Sequence, residues 1–160
     1  MGAVERLLAW RRFRLVRELL MLYGIDMPAA VVVGRDLRLI HRGIGCVFHP
    51  DTIIGDRVQI YHQVTIGRAD AHLPKGEMVA MRVEIGDDVV IFPGAKVLGR
   101  QGTLRIGNGS IIAANAVVLD STGDGEIWAG VPARCVGQRQ ASGYREDPGF
   151  GGPQLRETAG

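Results

Sequence analysis

His41 and Asp26 are the side chains whose types and spacing suit a proton transfer. An imidazole acting as general base needs one ring nitrogen free and a partner on the other to hold it in one tautomer. A carboxylate can be that partner, and Asp26 stands fifteen residues before His41. On a single helix or strand such a spacing would carry no meaning. It gains one if the chain coils every eighteen residues or so, because the two side chains then meet across neighbouring coils. His49 and His62 invite a metal reading, which needs three converging imidazoles, two of them close along one strand. No pair of histidines is nearer than His41 and His49, and no HxxxxH occurs, so no metal is expected.

The elements that must position these residues follow a six-residue beat. From Ile54 the sequence runs IGDRVQ, IYHQVT, IGRADA, with aliphatic residues at 54, 60 and 66 and inward-capable Thr52, Val58 and Val64 two places before each. The beat returns at Ile85, Ile91 and Val97 and at Ile106, Ile112 and Val118, and hexads at 33, 39 and 48 complete twelve. Apolar residues two apart, resetting after six, describe short strands joined by corners rather than a helix. Three faces close one coil, so twelve hexads predict about four coils of a parallel β-helix, stacked roughly 4.8 Å apart. A β-sandwich would need hairpin turns with Asn-Gly or Asp-Gly centres. Glycine, 23 of 160 residues, is about twice its ordinary share. Gly34, Gly55, Gly67, Gly86 and Gly107 fall at the expected corners.

The rest of the chain is read around that repeat. Residues 4–23 lack Gly and Pro and carry Leu8, Leu15, Leu19 and Leu22 at helical spacing, which predicts one amphipathic N-terminal helix ended by Gly24. Its five arginines suit an anionic membrane surface, but the expectation is a Leu face packed on the protein's own trimer. Three regions follow: the helix at 1–24, the β-helix at 25–137 with an extruded loop at 68–82, and a polar tail at 138–160. The run LGRQGTLR after Val97 reads as a smaller bulge. A net charge of +2 without a basic, aromatic-interleaved run gives no support for nucleic-acid binding. Cys46 and Cys135, far apart, are expected as buried small residues in a reducing, cytoplasmic setting.

With the hexads and the closing run WAGVPARCVG (128–137), the chain resembles the hexapeptide-repeat acyltransferases over about residues 26–137. The resemblance implies a left-handed winding, against the general crossover rules, which favour the other hand. Asp26, Gly34 and His41, followed by Gly43 and Ile44, are similar to the serine acetyltransferase pattern of carboxylate, glycine and catalytic histidine. It also implies homotrimers that hold acetyl-CoA in a cleft between subunits. Transfer to a small hydroxyl acceptor is then direct, with His41 as base, Asp26 stabilising its imidazolium and no acylated serine or cysteine. Gly94, Ala113 and Ala114 are the small residues expected along the pantetheine arm, with Phe92 and Pro93 narrowing it, and Arg134 and Arg139 are expected at the nucleotide phosphates.

The acceptor side departs from the pattern. Ile40 stands where those enzymes carry an aspartate, Arg82 aligns with their second histidine, and His72 in DAHLPK only echoes their loop. HRGIGCVFHPDTIIGD looks closer to the branch that acetylates sugars, so a sugar or other neutral alcohol is the expected acceptor. L-serine is the alternative, and a non-catalytic β-helix module is the rival of another class. His62 is expected at a corner near the subunit interface.

Overall fold

Twelve short strands wind four coils of a left-handed parallel β-helix in a computed structural model that describes residues 3–74 and 76–139. Coil one holds β1 (Val32–Val33), β2 (Arg38–Leu39) and β3 (Val47–Phe48). Coil two holds β4 (Thr52–Ile54), β5 (Gln59–Ile60) and β6 (Thr65–Arg68). Coil three follows with β7 (Met81–Ile85), β8 (Val90–Ile91) and β9 (Lys96–Gly99), and coil four with β10 (Gly102–Ile106), β11 (Ile111–Ile112) and β12 (Val117–Val118). Equivalent strands stack into three parallel faces, β1-β4-β7-β10, β2-β5-β8-β11 and β3-β6-β9-β12. The second face continues through β13 (Glu126–Gly130) and its antiparallel partner β14 (Ala133–Gln138).

Alternation within each hexad turns one aliphatic side chain inward per face, and the register piles these into ladders. Val33, Ile54, Ile85 and Ile106 form one, Leu39, Ile60, Ile91 and Ile112 the second, and Phe48, Ile66, Val97 and Val118 the third. Nearly all are fully buried, each such side chain contributing about 1.5–3 kcal/mol of transfer free energy. Val58, Val64 and Thr52 are also buried, as their place two residues before each ladder residue predicts. Trp128 stacks on Ile112 and closes the last coil, its indole N–H donating to Glu126 Oε2 at 2.8 Å.

Three corners join the faces, and the first is stitched by side chains. The backbone N–H groups of Arg35, Asp56, Asp87 and Asn108 donate to the side-chain oxygens of Asp56, Asp87, Asn108 and Asp124, each from the next coil, at 2.7–2.9 Å. A Cβ on Gly55 would lie 2.5 Å from Asp87 Oδ1 and 2.8 Å from the Gly86 carbonyl carbon, so close stacking excludes a side chain there. Gly67 differs from the expectation for it: a Cβ there meets only ordinary contacts at 3.7 Å and beyond.

The N-terminal segment corrects the single helix expected at 4–23. It forms α1 (Ala3–Leu8) and α2 (Arg14–Leu22), because Arg11 folds back to donate to the carbonyls of Leu8 and Val31 and the chain turns at Trp10–Phe13. The turn rotates the two halves out of one stripe. Val4, Leu8 and Leu20 are buried, while Leu15 and Leu22 are 73% and 83% exposed. Gly24, at φ +72°, ends α2 as expected. No described helix is long and apolar enough to cross a membrane.

Elsewhere the boundaries shift by a few residues. The loop runs 69–80, since Arg68 completes β6 and residues 81–82 already belong to β7. The expected bulge after Val97 is instead a tight turn through Gly102, at φ +63°, between lengthened β9 and β10. Cys46 is buried as expected, but Cys135 is exposed on the outer strand β14. The tail expected at 138–160 lies outside the described residues beyond Arg139.

Candidate active site

The second corner, between the second and third faces, carries the candidate base. In coils two to four this corner passes from one ladder residue to the next in six, as from Ile60 to Ile66, whereas Leu39 and Phe48 are nine apart. The three extra residues make a short turn, Ile40–Gly43, in which His41 (φ 54°), Arg42 (φ 61°) and Gly43 (φ 63°) are all left-handed. For L-residues with a Cβ that conformation costs roughly 1–2 kcal/mol each. The turn lifts His41 off the wall into the open, leaving Ile40 half-buried behind it.

Above His41 the corner is a column of aromatic and then small residues. The His41 ring meets His62 edge-on, with centroids 5.2 Å apart, and Tyr61 at 6.3 Å. Tyr61 in turn stacks on Phe92 at 5.1 Å and 14°. The β8–β11 register then sets Ala113 over Phe92 and Ala114 over Pro93, and Gly94 donates its N–H to the His62 carbonyl. Gly94, Ala113 and Ala114 therefore share one corner with His41, and Phe92 and Pro93 narrow it. Arg134, at the start of β14, follows the turn out of this end of β13, its guanidinium 3.9 Å from the Asp120 carboxylate.

Asp26 bridges to Val47, twenty-one residues later, because the lengthened corner expands the first coil beyond eighteen. Asp26 lines a small hollow with Arg17 and Glu18, and no hydrogen bond or ion pair among the described residues joins it to His41. Arg139 sits on the first corner, donating to the carbonyls of Asp88 and Gly109 at 3.0 and 3.1 Å, away from the small-residue column.

His72 and Arg82 lie at the third corner and on the first face, so one protomer does not bring either to His41. Arg82 is 3.7 Å from Glu84 on the outside of β7. His72 borders a cleft of about 740 Å³ under the loop, with Asp70, Glu77 and Asp120. The loop base is pinned by Arg68, which binds the Asp70 carboxylate twice at 2.9 Å and reaches the carbonyls of Val79 and Arg100. Those hydrogen bonds hold the Asp70 carboxyl below its usual range.

Tyr61 and the closeness of His62 to His41 were missed in the sequence. The signal was there: His41 and His62 each stand two residues after a rung of the same ladder, Leu39 and Ile60. His49 is remote from both, its Nδ1 accepting the Asp51 N–H at 3.2 Å, and burial lowers its pKa. Among the described residues no three His, Cys, Asp or Glu side chains gather as metal ligands.

The coiled ladders and the open histidine at one corner define a hexapeptide-repeat β-helix of the acyltransferase class. Within that class the chain is serine acetyltransferase-like. It is 36% identical over 121 residues to the serine acetyltransferase of Mycobacterium tuberculosis, covering 76% of this chain and 49% of that protein. It superposes on the Neisseria gonorrhoeae serine acetyltransferase in complex with serine with a TM-score of 0.63 at 28% identity, covering 84% of this chain and 52% of the other. A serine acetyltransferase in complex with CoA gives a TM-score of 0.64 at 26% identity, over 83% and 52% of the two chains. The chain spans about half the length of the relatives it matches. No family model matches it.

Proposed function

We propose that this chain is an acetyl-CoA-dependent O-acetyltransferase, and that L-serine is its acceptor. The observation that carries the reading is the second corner, where an open histidine stands at the foot of a column ending in Gly94, Ala113 and Ala114. A slender pantetheine arm fits small side chains, and the relative solved with CoA supports that donor. His41 takes the hydroxyl proton as the acceptor oxygen attacks the thioester carbon. The carbon–sulfur bond breaks, and the imidazolium returns its proton to the departing thiolate. Arg134 is the cation we assign to the nucleotide phosphates.

Ile40 argued for a neutral sugar, but the relatives are serine acetyltransferases, one of them solved with serine, and they favour the amino acid. With Asp70 engaged by Arg68, Glu77 is the loop carboxylate we assign to the serine ammonium. A role for His72 or Arg82 at the acceptor requires a second protomer, so the proposal includes a homotrimer. Light scattering is expected to give three times 17.3 kDa. The deciding assay is thiol release from acetyl-CoA with L-serine, homoserine and sugars side by side. Release with L-serine well above the others supports the proposal. Release with sugars alone restores the neutral-alcohol reading, and none with any acceptor leaves the β-helix as a structural module.

A further inference from the structure

The coil from which the loop leaves carries one side chain that the repeat itself does not need. Arg68 stands two residues after the rung Ile66, and the same place in the other coils holds Pro50, Gly99 and Asp120. Its guanidinium is withdrawn from solvent, the Arg68 and Asp70 side chains being only 14% and 12% exposed. A buried ion pair adds little to stability over apolar packing, because desolvation offsets most of the attraction. What this one adds is connection. Nε and Nη2 bind both Asp70 oxygens on the outgoing leg of the loop, and Nη2 also donates to the Val79 carbonyl on the returning leg, all at 2.9 Å. A fourth hydrogen bond, to the Arg100 carbonyl, ties both legs to the turn after β9.

We propose that Arg68 is the positioning residue of the acceptor loop: its guanidinium clasps the two legs together and so holds Glu77 in place for the serine ammonium. The inference rests on the assignment of Glu77 above. The path between the two residues is short. The Asp70 carbonyl accepts the Leu73 N–H at 3.0 Å and the Pro74 carbonyl accepts the Glu77 N–H at 2.9 Å, so two turns carry the geometry of the clasped leg to Glu77. Glu77 is exposed and its side chain makes no hydrogen bond or ion pair among the described residues, which leaves its place to be set by the backbone. A lysine at 68 keeps the charge beside Asp70 but lacks the planar fork. A point charge cannot bind both carboxylate oxygens and a carbonyl on the opposite leg in fixed directions.

Hydrogen exchange of the full chain reads the clasp without any substrate. The amides of Leu73 and Glu77 are expected to exchange about tenfold faster in Arg68→Lys, while Gly55→Ala, which strains another corner, leaves them unchanged. In thiol release from acetyl-CoA, Arg68→Lys is expected to raise KM for L-serine about tenfold at unchanged kcat, the sign of lost ground-state binding. Glu77→Ala does the same, and the double variant is no worse than Glu77→Ala alone. Asp70→Asn, which keeps an oxygen for the guanidinium, loses less. Unchanged exchange in Arg68→Lys overturns the clasp. Additive rises in the double variant overturn its action through Glu77, and a larger rise in Asp70→Asn than in Arg68→Lys makes Asp70 the acceptor contact instead. If the wild type does not use L-serine, or Glu77→Ala keeps the wild-type KM, the assignment of Glu77 fails separately and the exchange result alone decides the clasp.

Discussion

The first and second corners are built from the same coil turn and used in opposite ways. Both place a left-handed residue in every coil, Asp36, Arg57, Asp88 and Gly109 on the first and Gly45, Gln63, Gly94 and Asn115 on the second. On the first corner the polar groups satisfy one another. Carboxylate and amide side chains cap the N–H groups of neighbouring coils, and Arg35 and Arg57 pair with Asp56 and Asp88 at hydrogen-bond distance. On the second corner aromatic rings stack, small residues follow, one imidazole stands open and another holds an unpaired nitrogen. A corner that meets its own hydrogen-bonding needs has nothing left for a ligand. The one that breaks local rules is where binding and proton transfer can occur.

The largest effect that separates the corners is expected from His41→Ala, with at least about 100-fold lower turnover. Its melting temperature should stay within error of the wild type, because the exposed ring contributes no core contact. Equal activity in the two proteins would break the comparison. Gly55→Ala, on the first corner, is the converse. Its Cβ collides with Asp87 and the Gly86 backbone, at a cost of about 1–3 kcal/mol in denaturant unfolding, while turnover per folded molecule is unchanged.

A smaller effect is expected from Ala114→Trp, which places bulk on the exposed second corner. KM for acetyl-CoA should rise about tenfold, or 1.4 kcal/mol, with stability unaffected. An unchanged KM would move the donor off this column. The smallest effect concerns acid. Arginine hydrogen bonds hold Asp56 and Asp88 on the first corner below the usual aspartate range. A depressed folded pKa stabilises the fold above the unfolded value of about 3.9 and loses that contribution as pH falls through the folded value. Thermal melts should therefore begin to fall below about pH 4, and Asp56→Asn should flatten that slope; an identical slope would show that the pairs contribute nothing.

The twelve hexads were legible in the sequence because an inward residue must be apolar in every coil, whatever lies beside it. The ladder from Leu39 to Ile112 is thus written in residue type alone, and so are the corner glycines 55 and 86, which no side chain could replace. The outward residues carry no such mark. His41 and His62 become neighbours only when coil one is stacked under coil two. The break between α1 and α2 likewise depends on Arg11 reaching Val31 across the fold. By itself the sequence determined the β-helix, its four coils and the candidacy of His41, since burial constrains side-chain type position by position. Which residues stand around His41 was decided by the tertiary structure alone: corner side chains face solvent, and their partners are set by how far each coil travels before it closes.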